Sequence, residues 1–188
     1  MNLSNLRPSS KSSILDKTLT KGKNEVSLSL FALVFSEIVQ YSQKSCSSVA
    51  DLSEKLHSLG YDVGSRLLDL YVHREKNSKR ETKLINMLLF VKTTLWKTLF
   101  GKEIDKLEHA NDDERTYYII ETDPVVNKYI SVPKDKGSLN AAVFTAGIIE
   151  AVLTLAGFAC KVTAHYHKGT TYMCKFEDHV IARDKQLD

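Results

Sequence analysis

The chain has 188 residues, 43% hydrophobic and 26% charged, the balance of a soluble globular domain with enough length for one buried core. Its formal charge of +3 is concentrated in the first 24 residues, where Arg7, Lys11, Lys17, Lys21 and Lys23 face Asp16 alone. That arm nets +4 and leaves the body at −1, which argues against a nucleic-acid-binding body. Cys46, Cys160 and Cys174 are too few and too unevenly placed for a disulfide framework and read as reduced thiols.

Residues 1–24 are rich in Ser, Thr and Lys and are expected to form a flexible arm without a secretory apolar core. Asn2 excludes N-myristoylation, and the C-terminus carries no prenylation box. Residues 25–184 are expected to make one domain, with 185–188 as a tail. Glu25 to Lys44 reads as the first helix, with Phe31, Val34, Phe35, Ile38 and Tyr41 at helical spacing. Leu28, Leu30, Leu33 and Val39 extend its apolar surface past one stripe, so it packs inward and also has surface to offer a partner.

Ser48 and Asp51 have the spacing of a helix N-cap and its acidic third residue. Leu52, Leu56 and Leu59 follow on one face of that second helix. Gly60 and Gly64 either end it or let two backbones approach closely, and Arg66 to Tyr71 resumes the helical pattern. Residues 73–83 are strongly charged and predict a solvated connection. Leu84, Met87, Leu88, Val91, Leu95 and Leu99 mark a third amphipathic helix, with Lys83, Lys92 and Lys97 on its other face and Gly101 as its stop. That lysine face is either a plain solvated face or a membrane-facing patch.

Ile104–Ala110 and Arg115–Thr122 predict a hairpin closed by the Asn111–Glu114 turn. A short helix, Val125 to Ile130, and a loop through Ser138 follow. Leu139–Cys160 is apolar on more than one face and long enough to span a bilayer. Glu150 near its centre would cost about 2.5–3.5 kcal/mol there, so a buried helix covered on several sides is expected.

The last hairpin alternates Phe158, Cys160, Val162, Ala164 and Tyr166 with polar residues, and returns through Tyr172, Cys174 and Phe176. A three-residue loop at His167–Gly169 pairs Val162 with Cys174 and Tyr166 with Thr170, keeping the apolar faces together and putting Gly169 where a left-handed residue is needed. In that register Val162, Cys174 and Tyr166 help cover the apolar helix, and Cys160 lies diagonal to Cys174, about 7–8 Å away, too far for a disulfide.

His165 and His167 share the polar face at ligand-like spacing, but a metal site needs a third ligand that no spacing supplies. There is no phosphate-binding loop, nucleophile elbow or dinucleotide fingerprint, and no paired carboxylates to carry acid–base chemistry. The residues point to a binding or assembly protein.

The order three helices, hairpin, long helix, hairpin resembles the small-subunit family of the TRAPP vesicle-tethering complexes, from Ile14 to Asp184. LG-x-x-x-G-x-R-L and AGIIE-x-x-L-x-x-x-GF are similar to the wider family. KGKNEVSLSLFALVFSEIVQY, REKNSKRETK, FGKEIDKLEHANDDERTYYIIETDP, KVTAHYHKGTT and VIARD are similar to one subunit type within it. The resemblance implies an α+β fold, an α/β plait with N-terminal helices packed on an antiparallel sheet of two hairpins.

It also implies a non-catalytic scaffold with no cofactor and no metal, cytoplasmic and peripherally associated with Golgi and ER membranes. Family members pair through their first two helices, which would give Leu28, Phe31, Phe35, Leu52, Leu56 and Tyr61 a partner. The implied partners are a paralogous plait-fold subunit, a sedlin-type longin-fold subunit, a Rab GTPase met through the assembled exchange factor in ER-to-Golgi transport, and a peripheral membrane contact. A second implication is a hydrophobic channel beneath Ala142, Ala146 and Ile149 for a small molecule or acyl group. Some members acylate a cysteine after the second helix, but here that region reads REKNSKRET and offers none.

Overall fold

The computed structural model describes residues 26–74, 80–134, 137 and 139–187, so the expected basic arm lies outside the described residues. Helix α1 (Leu28–Lys44) starts where the Ser27 hydroxyl accepts the Leu30 N–H at 3.2 Å. Helix α2 (Val49–Arg74) starts with a reciprocal cap. The Asp51 N–H donates to Ser48 Oγ at 3.1 Å, and the Ser48 N–H donates to Asp51 Oδ2 at 3.0 Å. Hydrogen bonds from Ser47 and Ser48 hold the Asp51 carboxyl below its ordinary range. The helix runs on through Gly60 and Gly64, so neither glycine is a stop.

Helix α3 (Leu84–Leu89) continues through a π-helical turn, Phe90–Leu95, into α4 (Trp96–Phe100). Gly101 ends this run in the left-handed conformation, φ 71°. The sheet comprises β1 (Lys106–His109), β2 (Thr116–Glu121), β3 (Cys160–Tyr166) and β4 (Thr170–Phe176), ordered β1-β2-β4-β3 and antiparallel throughout. Between its hairpins lie a short α5 (Val125–Lys128) and α6 (Val143–Leu155).

The final hairpin has the expected register, with Val162 opposite Cys174 and Tyr166 opposite Thr170. Gly169 has φ 95°, and a Cβ there would stand 2.5 Å from the Thr122 carbonyl, so backbone angle and space both require glycine. Cys160 pairs with Phe176, which leaves it diagonal to Cys174, and both thiols are free. Burial pushes the Cys160 thiol up to about 12.

Helix α6 lies between α2 and the sheet, packing on α2 along most of its length and on β3 behind it. An all-round apolar helix is thus covered from both sides by its own chain. Leu56, Leu88, Ile149, Val152, Val162, Tyr172 and Phe176 form the centre of the core. One expectation needs correction. Tyr166 does not help cover the helix: it is 59% exposed and donates its hydroxyl to the Leu139 carbonyl at 2.9 Å, because it sits at the open end of an edge strand. The end of the chain forms a further helix, α7 (Asp178–Gln186), whose Asp184 accepts the first N–H of α3 at 2.7 Å. Among the described residues, no helix is long and apolar enough to cross a membrane.

Candidate assembly surface and cavity

The joint between α2 and α6 is set by three glycines. A Cβ on Gly60 would overlap the Phe144 carbonyl, and one on Gly147 would overlap the His57 carbonyl. On Gly64 it would stand 2.7 Å from the Ile148 carbonyl oxygen. The two backbones touch, which only glycine permits. Beside this joint, Glu150 of α6 accepts the Val162 N–H of the edge strand β3 at 2.7 Å, meets His57 Nε2 of α2 at 3.2 Å and Lys161 Nζ at 3.4 Å. Burial pushes its carboxyl up, but the contacts from His57, Val162 and Lys161 outweigh burial and hold it below the ordinary carboxylate value. One side chain thereby ties two helices to the sheet and occupies an unpaired edge donor.

Helix α1 sits differently. Its inward stripe is Phe31, Phe35, Ile38, Val39 and Ser42, with Phe35 stacked on Phe31 at 5.8 Å and tilted against Phe144 of α6 at 5.2 Å. Its other side exposes Leu30, Leu33, Val34 and Tyr41, with Leu33 the most open at 72%. These residues recur at i, i+3, i+4 and i+11, a second apolar stripe with no cover among the described residues.

Of the residues expected at a pairing face, Leu28 is exposed and Phe31 and Tyr61 are half-buried. Phe35, Leu52 and Leu56 are inside the chain's own core, at 3%, 2% and 0% exposure, so they present no surface for a partner. Leucines spaced for one face of α2 face α1 and α6 instead. The exposed stripe on α1 was legible as excess apolar residues, but the sequence did not distinguish the inward stripe from the outward one.

Ala142, Ala146 and Ile149, the residues expected around a channel, are fully buried in the core. A cavity of about 800 Å³ lies instead at the far end of α6. Leu68, Tyr71 and Val72 of α2, Met87 and Phe90 of the third helical run, and Leu155 and Ala156 give it apolar walls. Asp69, Arg80 and Glu81 supply charged groups and His73 an imidazole, and none of the three cysteines lines it. The π-helical turn contributes Phe90 and Thr94 to it, whereas an uninterrupted helix had been expected there.

His165 lies 2.8 Å from Thr163 Oγ1 on the outer sheet face, and His167 is exposed in the hairpin loop. Among the described residues, no three His, Cys, Asp or Glu side chains converge as a metal site.

The model of the family described as transport protein particle (TRAPP) component matches residues 31–180. The chain is 60% identical over 178 residues to trafficking protein particle complex subunit 5 of Homo sapiens, covering 95% of each chain. The Dictyostelium discoideum protein of that name is 47% identical over 178 residues, covering 91% of this chain and 96% of its own. Saccharomyces cerevisiae subunit 31 is 24% identical over 240 residues, covering 92% of this chain and 83% of its own. Among solved structures, a Naegleria fowleri trafficking protein particle complex subunit 3, crystallised covalently bound to palmitic acid, shares the fold. It superposes with a TM-score of 0.70 at 17% identity, covering 80% of this chain and 95% of that one.

Proposed function

We propose that this chain, which belongs to the TRAPP component family, is a structural subunit that joins a paralogous plait-fold subunit through helix α1. As a TRAPP subunit it works in vesicle trafficking, and other TRAPP subunits are its partners. The observation that carries the pairing is the uncovered stripe of Leu30, Leu33, Val34 and Tyr41 on a helix whose opposite side is already buried. Leu28 and Phe31 border that stripe, and Tyr61 is half-exposed on the neighbouring helix. Burying such residues at an interface contributes about 1.5–3 kcal/mol each at most.

The wider setting rests on the family resemblance. The assembled particle acts as a guanine-nucleotide exchange factor for a Rab GTPase in ER-to-Golgi transport, at Golgi and ER membranes, with a sedlin-type longin-fold subunit on one side of this chain. Exchange requires an assembly that binds nucleotide-free GTPase better than the nucleotide-bound form. This chain supplies no catalytic group to that step; it holds other subunits in place. Co-expression with a paralogous subunit tests the proposal. A stable one-to-one complex in size-exclusion chromatography with light scattering, with slowed amide exchange over 28–44, is the expected result. A monomer that ignores the subunit overturns it.

The cavity supports a second reading, a pocket for an apolar chain. A trafficking protein particle subunit of the same fold holds palmitic acid covalently. Here no cysteine lines the cavity, so an acyl chain would be held without a covalent bond. Native mass spectrometry after mild purification tests it: a bound mass of fatty-acid size supports the pocket, and bare protein counts against it.

A further inference from the structure

We propose that the outward face of the helical run from Leu84 to Phe100 is a contact for an anionic lipid surface. The proposal starts from charge. Residues 82–102 contain Lys83, Lys92, Lys97 and Lys102 and not one Asp or Glu, although a quarter of the whole chain is charged with both signs nearly balanced. Lys102 is ion-paired with the buried Glu121 at 2.8 Å. Lys92 and Lys97 have no carboxylate partner among the described residues.

The second observation is what stands beside those lysines. Ile85 and Leu89 are 45% and 43% exposed, one turn apart on the same run. The spacing Ile85, Leu89, Lys92 follows an α-helical face. A straight helix would continue it to residue 96. The π-helical turn adds a residue, so Trp96 is buried against Tyr172 and Lys97 comes outward. The sequence pattern and the irregular turn together put the exposed Ile85 and Leu89, the half-buried Lys92 and the exposed Lys97 along one side of the run.

A helix lying on a membrane surface needs that combination: aliphatic groups that enter the headgroup boundary and lysines that meet lipid charge. An acidic protein partner would satisfy the lysines without calling for exposed aliphatics beside them. The same run also lines the cavity through Met87, Phe90 and Thr94, and Val72 and Leu155 are exposed at the cavity's edge. The apolar surface around this helix therefore extends past two residues. Flanking Glu81 and Glu103 mark the limits of the acid-free segment. A contact this small is weak alone and gains strength when a complex presents several such surfaces to one membrane.

Vesicle flotation of the full chain, purified with its partner subunit, tests the proposal. The probes are vesicles of phosphatidylcholine alone and of phosphatidylcholine with about 30% phosphatidylserine, a composition chosen for its negative surface potential. The expected result is flotation with the phosphatidylserine vesicles, little with phosphatidylcholine alone, and loss of binding in high salt. The pair Lys92→Gln and Lys97→Gln should weaken binding about thirtyfold, because each lysine at an anionic surface contributes about one kcal/mol. Ile85→Asn with Leu89→Gln should weaken it with the lysines intact.

The basic arm is a rival source of lipid affinity, so Lys17→Gln, Lys21→Gln and Lys23→Gln form the comparison. If those changes abolish flotation while Lys92→Gln and Lys97→Gln leave it unchanged, the proposal is overturned. If the wild-type complex fails to float on phosphatidylserine vesicles, it is equally overturned, and the face is left to an acidic protein partner.

Discussion

Helices α1 and α6 are both apolar well beyond a single stripe, yet they end in opposite situations. In α6, nine of thirteen residues are buried, all by other parts of the same chain. In α1, three of seventeen are buried, and five large apolar side chains, Leu28, Leu30, Leu33, Val34 and Tyr41, are exposed along it. Side-chain size explains the difference. Helix α6 carries Gly147, Ala146 and Ala151, and meets Gly60 and Gly64 of α2, so a second backbone can close on it while the sheet covers the other side. Helix α1 has no glycine, and both of its apolar sides carry Leu, Val, Phe or Tyr, so a neighbour stands farther off and covers one side only. An apolar helix with glycines at its joint is covered from within; one with large residues on two sides keeps one of them open.

The sharpest way to break that comparison is to put side chains into the glycine joint. Gly147→Ala sets a methyl group onto the His57 carbonyl, and Gly60→Ala sets one onto the Phe144 carbonyl. Neither obstacle is a flexible side-chain tip, so the helices must separate. Each change should destabilise the fold by about 4 kcal/mol or more, a size reserved for core disruption, and should appear as insoluble protein or a collapsed denaturation midpoint. Gly101→Ala is the control. It strains a left-handed residue but meets nothing within 4 Å, so its cost should be about 1–2 kcal/mol.

A smaller effect is expected at the tie beside that joint. Glu150→Gln keeps the shape but removes the charge that holds the Val162 N–H, His57 and Lys161, at a cost of about 1.5–3 kcal/mol near neutral pH. The sign of its pH dependence follows from the lowered carboxyl pKa. A group that titrates lower in the folded chain than in the unfolded one stabilises fully above the unfolded value, near pH 4.5. That stabilisation fades as pH falls through the folded value. The gap between wild type and variant, read from urea melts, should therefore be widest near neutrality and close in acid. A gap that stays constant down to pH 3 would mean that Glu150 acts by shape alone.

How much of this was visible in the sequence depends on how local the physics is. The final hairpin's register was legible to the residue, because alternation and Gly169 fix it within ten positions. The Ser48–Asp51 cap and the Gly101 stop were legible for the same reason. Gly60 and Gly64 were legible as alternatives only: closeness of two backbones is a property of a pair of helices, and the second helix lies eighty residues away. The family likeness was legible and placed the fold correctly. The split of α1 into an inward and an outward stripe was not, since Phe35 and Leu33 differ little in hydrophobicity and only the position of Phe144 decides between them. The π-helical turn left no pattern strong enough to read, although its consequence, a buried Trp96 and an outward Lys97, is plain in the structure.

The smallest expected effect on stability separates the two kinds of apolar helix most cleanly. Leu33→Asp changes the most exposed apolar side chain of α1, where neither state of the chain buries it. The fold should move by no more than about 0.5 kcal/mol, the range of an ordinary surface substitution. Pairing should fail, because a carboxylate would be desolvated without a partner in the middle of an apolar contact. Phe35→Asp, two residues along, should do the reverse in order: it places a charge against Phe31 and Phe144 inside the chain, so the fold is lost first and pairing only as a consequence. Thermal melts of each variant alone, beside size-exclusion runs of each with the co-expressed partner subunit, read both quantities. A Leu33→Asp chain that melts like wild type and still pairs would show that the outward stripe of α1 is not the assembly face, and that excess apolarity on this helix has some other cause.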